Sequence, residues 1–216
     1  MMQSQSAPRE LVVAVPKGRV LDQLGPRLEA AGLDPAPLYA KGRELIRVDR
    51  ERGIRYLLLK PDDVPTWVEY GAADLGIVGR DVLLEREYDL YAPVDLGIGR
   101  CRMMVCGKPG QPVRGEGGRT LRVATKFMNI AARHFREKGV AVELIYVQGS
   151  VELAPLTGLA DVIVDLVETG ETLRANGLSP LEPICEISSV VVANRASLKL
   201  ERERIAPLLE RLAARG

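Results

Sequence analysis

Imidazole is almost missing from this 216-residue chain, in which His134 is the only histidine. A serine or cysteine nucleophile activated by histidine is therefore not expected, while a carboxylate general base stays open. Cysteine is nearly as scarce. Cys101, Cys106 and Cys185 have no CxxC spacing, and with a single histidine they fall short of the roughly four N/S ligands of a structural zinc site. They are expected to act as small buried apolar residues. An excess of one charge is also lacking, since 30 Lys and Arg against 29 Asp and Glu leave a net +1. No global field draws the chain to nucleic acid or to an acidic membrane, and any anion must be held by local clusters. No segment is long and apolar enough to span a bilayer, and the polar opening, Met1 to Glu10, lacks the apolar core of a signal peptide. Cytoplasm is the expected location. What remains, 46% hydrophobic and 27% charged residues, suits a folded chain able to form one large domain or two small ones.

What is present alternates between strand and helix patterns. Leu11 to Val15 reads as a strand, followed by Pro16-Lys17-Gly18-Arg19 and a helix carrying Val20, Leu21, Leu24 and Leu28. Strands are expected at Ile46 to Val48, Ile54 to Leu59, Asp74 to Val78, Arg102 to Cys106, Leu121 to Ala124 and Val142 to Val147. Helices are expected from about Asp63 to Tyr70, Val82 to Glu87 and Asn129 to Lys138, and Ser150 is an expected N-cap for a short helix containing Glu152. Ile184 to Ala193 suits one long strand, and Ser197 to Arg215 an amphipathic helix. This alternation implies an α/β fold with a largely parallel sheet, whose ligands sit beyond the carboxyl ends of the strands. Lys17, Arg19, Lys60 and Arg80 all follow such strand ends. The stretch Gly107 to Arg119 reads as an exposed loop with no assigned chemistry.

The most informative stretch is Asp161 to Leu173. Val162 to Val167, interrupted only by Asp165, has the apolar, β-branched character of a strand covered on both faces. It ends at Glu168, and Thr169-Gly170-Glu171-Thr172 then opens a helix. Such a turn aims backbone N–H groups at one spot, which suits a phosphate. Asp165 and Glu168 flank that spot and suit sugar hydroxyls or a bound Mg²⁺. Phosphoribosyl compounds combine these features.

Glu152, Gly158, Ala160, Ile163, Asp165, Leu166, Val167, Thr169, Gly170, Thr172 and Leu173 stand in the order and spacing of a known signature. Through them the chain resembles the ATP phosphoribosyltransferases, the first enzymes of histidine biosynthesis. The likeness extends from Pro16-Lys17-Gly18-Arg19 through Asp63-Val64-Pro65 and Gly71 to Gly76 to Val123-Ala124-Thr125-Lys126. It implies a two-lobed fold similar to type II periplasmic binding proteins, with the active site in the interlobe cleft. Residues 1–96 and 182–216 would form lobe I and residues 97–181 lobe II. It also implies a short-form catalytic subunit, because about forty residues after the motif leave no room for a third, histidine-sensing domain. Such subunits are expected as homodimers within a hetero-oligomer that includes a regulatory subunit similar to histidyl-tRNA synthetase.

The implied reaction transfers the phosphoribosyl group of 5-phosphoribosyl-1-pyrophosphate to N1 of the adenine of ATP and releases pyrophosphate. The resemblance places Arg43 and Lys60 on the phosphates as catalytic cations, Arg43 toward the departing pyrophosphate. Many relatives carry Arg where this chain has Lys60, and Lys lacks the bidentate fork. Lys17 and Arg19 would face ATP or pyrophosphate, and Glu152, Asp165, Glu168, Thr169, Gly170, Glu171 and Thr172 the ribose phosphate. Mg²⁺ would be bound mainly through substrate phosphates rather than by a dedicated metal site. Two alternatives stay open. One is a purine or pyrimidine phosphoribosyltransferase, disfavoured because its two acids are usually adjacent; the other is a non-catalytic small-molecule binding module of the same fold.

Overall fold

A computed structural model describes residues 9–115 and 119–214. Most of the polar opening, Glu116 to Gly118 of the glycine-rich loop, and Arg215 lie outside the described residues. The chain begins with β1 (Leu11–Pro16), α1 (Arg19–Ala30), α2 (Ala36–Tyr39), β2 (Ile46–Asp49) and β3 (Ile54–Leu59). A 3-10 turn at Pro61–Asp63 leads into α3 (Val64–Glu69), β4 (Leu75–Gly79), α4 (Arg80–Glu85) and β5 (Tyr91–Asp95). Next come β6 (Cys101–Gly107), β7 (Leu121–Thr125), α5 (Met128–Glu137), β8 (Val142–Tyr146) and α6 (Leu153–Thr157). The remainder is β9 (Val162–Val167), α7 (Glu171–Ala175), β10 (Ser179–Ile187), β11 (Ser189–Ala193), α8 (Arg195–Leu200) and α9 (Arg202–Ala213). These elements form two compact units, one of residues 1–83, 88–99 and 188–216, the other of 84–87 and 100–187.

The first unit holds a six-stranded sheet in the order β2-β3-β1-β4-β11-β5. β1 is parallel to β3 and β4, whereas β2, β11 and β5 pair antiparallel. The central strands are apolar on both faces and are buried accordingly. Val13 and Val15 pack with Leu24 and Leu28 of α1 and with Ile205, Leu208 and Leu212 of α9 on one side. Ala14 joins Val64 and Val68 of α3 on the other. Gly76 permits that second contact, because a Cβ there would lie 2.7 Å from Val68 and 2.8 Å from Val64.

The second unit holds a five-stranded sheet in the order β10-β6-β9-β7-β8. β7 is parallel to β8 and β9, and β6 runs antiparallel between β9 and β10. Val162 and Val164 face a core with Phe127, Ile130 and Phe135, while Ile163 and Val167 face Ala154 and Leu173 on the helix side of α6 and α7. The segment from Leu84 belongs here because Glu85 accepts the Asn129 and Ile130 N–H groups at 3.0 Å, occupying the start of α5. A carboxylate there complements the helix dipole.

Several expectations change in three dimensions. The sheets are mixed rather than largely parallel, since antiparallel strands flank each parallel set. The apolar run from Ile184 to Ala193 is two strands in two sheets, broken at Ser188, whose Oγ donates to Asp95 at 2.7 Å. The carboxyl-terminal helix is also two, α8 and α9, separated at Glu201. Asn194 starts α8, accepting the Ala196 and Ser197 N–H groups at 2.9 and 3.1 Å.

Candidate functional site

The first unit gathers basic residues at the carboxyl edge of its parallel strands. Pro16 pairs with Leu59, and the Lys17 N–H donates to Leu59 O at 2.9 Å, so Lys17 and Lys60 leave adjacent strands side by side. Both are exposed. Gly18 follows with φ +90°, a backbone suited to glycine, and α1 opens at Arg19, whose Nη2 donates to Gly99 O at 3.4 Å. Arg80 follows β4 at the same edge and pairs with Asp95 at 3.4 Å.

Arg43 comes to this edge by a different route. β2 runs antiparallel to β3 with Ile46 opposite Leu57, and Leu58 N donates to Leu45 O at 2.8 Å. Arg43 lies in the bent segment that leads into the start of β2, the end of that strand beside the carboxyl end of β3. Its loop is fastened from below by Arg47, which donates to Glu44 Oε2 at 3.1 Å and Gly42 O at 3.3 Å. Arg43 itself is exposed. Lys17 and Lys60 are thus side by side at this edge, with Arg19 at the start of α1 and Arg43 in the loop before β2, and cations so placed favour anions.

The second unit gathers acids and hydroxyls at the carboxyl edge of β7, β8 and β9. Asp165 lies on β9 on the face shared by Ile163 and Val167, and its Oδ1 accepts the Leu166 N–H at 2.8 Å. Glu152, half-buried, caps the start of α6 by backbone position only. Burial raises the Cys106 thiol to about 12, with the Asp165 and then the Glu152 carboxylate adding to the rise. These two acids therefore act on one buried sulfur from separate elements. Beyond β9, Thr169 Oγ1 accepts the Glu171 N–H at 3.3 Å and Thr169 O accepts Arg174 Nη1 at 2.9 Å. Gly170, at φ +72°, turns the chain into α7. Glu168, Thr169, Glu171 and Thr172 are exposed around it. Glu152, Asp165 and the turn from Glu168 to Thr172 thus share one edge.

Two neighbours at that edge were given no substrate role from the sequence. Lys126 immediately follows β7, which pairs parallel with β9; its Nζ lies 4.7 Å from the Phe127 ring centroid. The strand-end position that singled out Lys17 and Lys60 was the signal available for Lys126. Ser150 is the other. It does not cap α6 with its side chain; instead it takes φ 50°, the only positive φ at a non-glycine among the described residues. Strain of this kind collects where a loop is held for a purpose, and nothing in the residue type announces it.

Among the described residues no group of three or more His, Cys, Asp or Glu is placed to hold a metal ion. His134 is engaged elsewhere, with Nε2 2.7 Å from Glu182 Oε1, close enough for an ion pair although out of line for a good hydrogen bond.

Comparison with known proteins gives a consistent result. The family profile described as "HisG: ATP phosphoribosyltransferase" matches residues 60–214. An ATP phosphoribosyltransferase of Sorangium cellulosum is 56% identical over 206 residues, covering 95% of this chain and 96% of the relative. One from Halorhodospira halophila is 52% identical over 207 residues, with 95% of each covered. Among solved structures, the "ATP phosphoribosyl transferase (HisG:HisZ) complex from Thermotoga maritima" matches with a TM-score of 0.78 and 38% identity, over 94% of this chain and 95% of that one. The Escherichia coli periplasmic aliphatic sulphonate binding protein SsuA matches at 0.59 with 16% identity, over 95% and 72%, a likeness of fold.

Proposed function

The chain belongs to the ATP phosphoribosyltransferase family, and we propose that its two sheet edges supply different parts of that family's reaction. The reaction is the first step of histidine biosynthesis and joins ATP to 5-phosphoribosyl-1-pyrophosphate, N1 of adenine displacing pyrophosphate from C1 of the ribose. N1 already carries a lone pair, so no activated protein nucleophile is required. The barrier is one of charge, as an oxocarbenium-like sugar forms while negative charge grows on the leaving pyrophosphate.

Thr169 to Thr172 take the 5′-phosphate with backbone N–H groups and hydroxyls, and Asp165 and Glu168 take the ribose hydroxyls. Glu152, on the same edge, supports the sugar side. Arg43 and Lys60 stabilise the departing pyrophosphate, and Lys17 and Arg19 receive ATP or pyrophosphate. The carboxyl-edge grouping of Asp165 with the Thr169–Thr172 turn is the observation that carries this assignment, since it sets an acid beside the exposed threonines at the start of α7. A Mg²⁺ ion fits as a substrate-borne ion, which typically keeps its waters and takes one or two carboxylates. Asp165 and Glu168 would reach it, directly or through water, and it would neutralise phosphate charge.

The chain works as a catalytic subunit, a homodimer in the cytoplasm with a regulatory protein similar to histidyl-tRNA synthetase. The HisG:HisZ complex formed by its Thermotoga maritima relative supports such a partner. No helix of the described residues is long and apolar enough to cross a membrane.

The test is direct. Protein mixed with ATP, phosphoribosyl pyrophosphate and Mg²⁺, with the regulatory partner present, should show a near-UV change from N1-substituted adenine matched by pyrophosphate release. Arg43→Ala should lower turnover by about two to three orders of magnitude with unchanged circular dichroism, because Arg43 is exposed. Turnover within a few-fold of wild type would remove Arg43 from this scheme.

A further inference from the structure

The outermost strand of the first unit's sheet is open on one side. β2 ends the six-stranded order and pairs with β3 alone. The Leu58 N–H donates to Leu45 O at 2.8 Å, which sets the phase of this antiparallel ladder. Leu45, Arg47 and Asp49 turn their backbone groups toward β3, and Ile46 and Val48 turn theirs outward. Among the described residues no strand takes up those outward N–H and C=O groups.

The side chains of this edge are apolar where solvent would favour charge. Ile46 is 52% exposed, Val48 37%, and Leu45, just before the strand, 55%. Ile46 lies opposite Leu57, which belongs to the core built with Val64 and Val68 of α3, so Ile46 and Val48 prolong that face to the rim of the sheet. Edge strands are commonly blunted by charges that repel an added strand. The two charges on β2 are used otherwise. Asp49 is buried and accepts the Arg52 N–H and Nη1 at 3.1 Å each, and Arg47 is turned back to Glu44 and Gly42.

The charge pattern around β2 suits a second copy of the same strand. Arg47 stands midway between Glu44, exposed before the strand, and Arg50, exposed after it. Antiparallel pairing about a two-fold axis at Arg47 sets Ile46 against Val48 of the partner subunit and brings Glu44 to the same end as the partner's Arg50, and each contact occurs twice. The two Arg47 side chains meet at the axis, but each guanidinium runs back toward residue 42 of its own chain, so they point apart. Residues 1–8 carry no charged side chain and leave this balance unchanged. We propose that β2 is the surface through which two copies of this chain assemble, joining two six-stranded sheets into one. The inference rests on the homodimer reading and supplies its contact surface.

Sedimentation velocity of the full chain over a concentration series tests it. The wild type should sediment as a dimer. Val48→Pro removes an outward N–H and sets a ring on the open edge, while the Arg47 and Asp49 N–H groups that serve β3 remain. With unchanged circular dichroism, its dimer Kd should rise by about tenfold or more, because the two-fold counts each lost hydrogen bond twice. Glu44→Arg and Arg50→Glu should each weaken the dimer a few-fold, and both changes in one chain should restore it, as expected of two residues that meet across the axis. This pair decides alone if Val48→Pro does not fold. A wild-type dimer whose Kd is the same in folded Val48→Pro, or in both single charge reversals, keeps the homodimer and overturns β2 as its surface. A wild type that stays monomeric at every concentration overturns both.

Discussion

At the residue scale, the buried acids show how much of this chain is committed to structure. Asp74 is fully enclosed, and its carboxylate accepts the Val12 N–H at 2.8 Å, Ser197 Oγ at 2.6 Å and Arg9 Nη2 at 3.0 Å. It ties β1 to α8. Asp74→Ala would orphan these donors, and urea unfolding should show a loss of about 3–5 kcal/mol, the usual result of breaking a buried charged network. Glu182 makes a milder case, contacting His134 and Lys138 at a partly exposed position. Burial pushes its carboxyl up, but Lys138 and then His134 outweigh it and hold it below its ordinary value. A depressed carboxyl stabilises the fold above its unfolded value and loses that contribution as pH falls through the folded one. Glu182→Gln should therefore cost up to about 1 kcal/mol at pH 7, and the gap from wild type should close once pH drops below the ordinary glutamate range. A gap that persists undiminished in acid would assign the effect to packing instead.

At the element scale, the turn from β9 into α7 depends on Gly170. An added Cβ would meet only Arg174 Nη1, at 3.3 Å, and Val167 Cγ1, at 3.7 Å, so the obstacle is the left-handed backbone rather than space. Gly170→Ala should cost about 1–2 kcal/mol, and it should raise KM for phosphoribosyl pyrophosphate more than it lowers kcat if the turn holds the ground-state phosphate. An unchanged KM would remove the turn from phosphate binding. The element boundaries that were legible follow from strong local signals: β1, β3 and β9 from apolar β-branched runs, and the end of α5 from Gly139 at φ +67°. β5 and α2 carried no such signal. β5 spans Tyr91–Asp95 with an exposed start and a proline, and only its pairing with β11, at Tyr91, Val94 and Asp95, makes it a strand.

At the scale of the whole molecule, two units with separate cores carry the two residue groups, and the balanced net charge leaves anion binding to local edges. Regulation belongs at this scale as well. With the histidine sensor on the proposed histidyl-tRNA-synthetase-like partner, histidine should leave the isolated chain's activity unchanged and inhibit it once that partner is added, with co-elution in size-exclusion chromatography. Inhibition of the chain alone would place the histidine sensor within it. The sequence by itself determined the family and the strand-to-helix turn after β9, because a signature of residue types at set spacing is local and needs no partner strand to be read. Tertiary structure alone decided that Lys17 and Lys60 leave adjacent strands side by side and that Ile184 to Ala193 divides between two sheets. Strand pairing and register are long-range choices, made by which faces bury together, and no run of neighbouring residues encodes them.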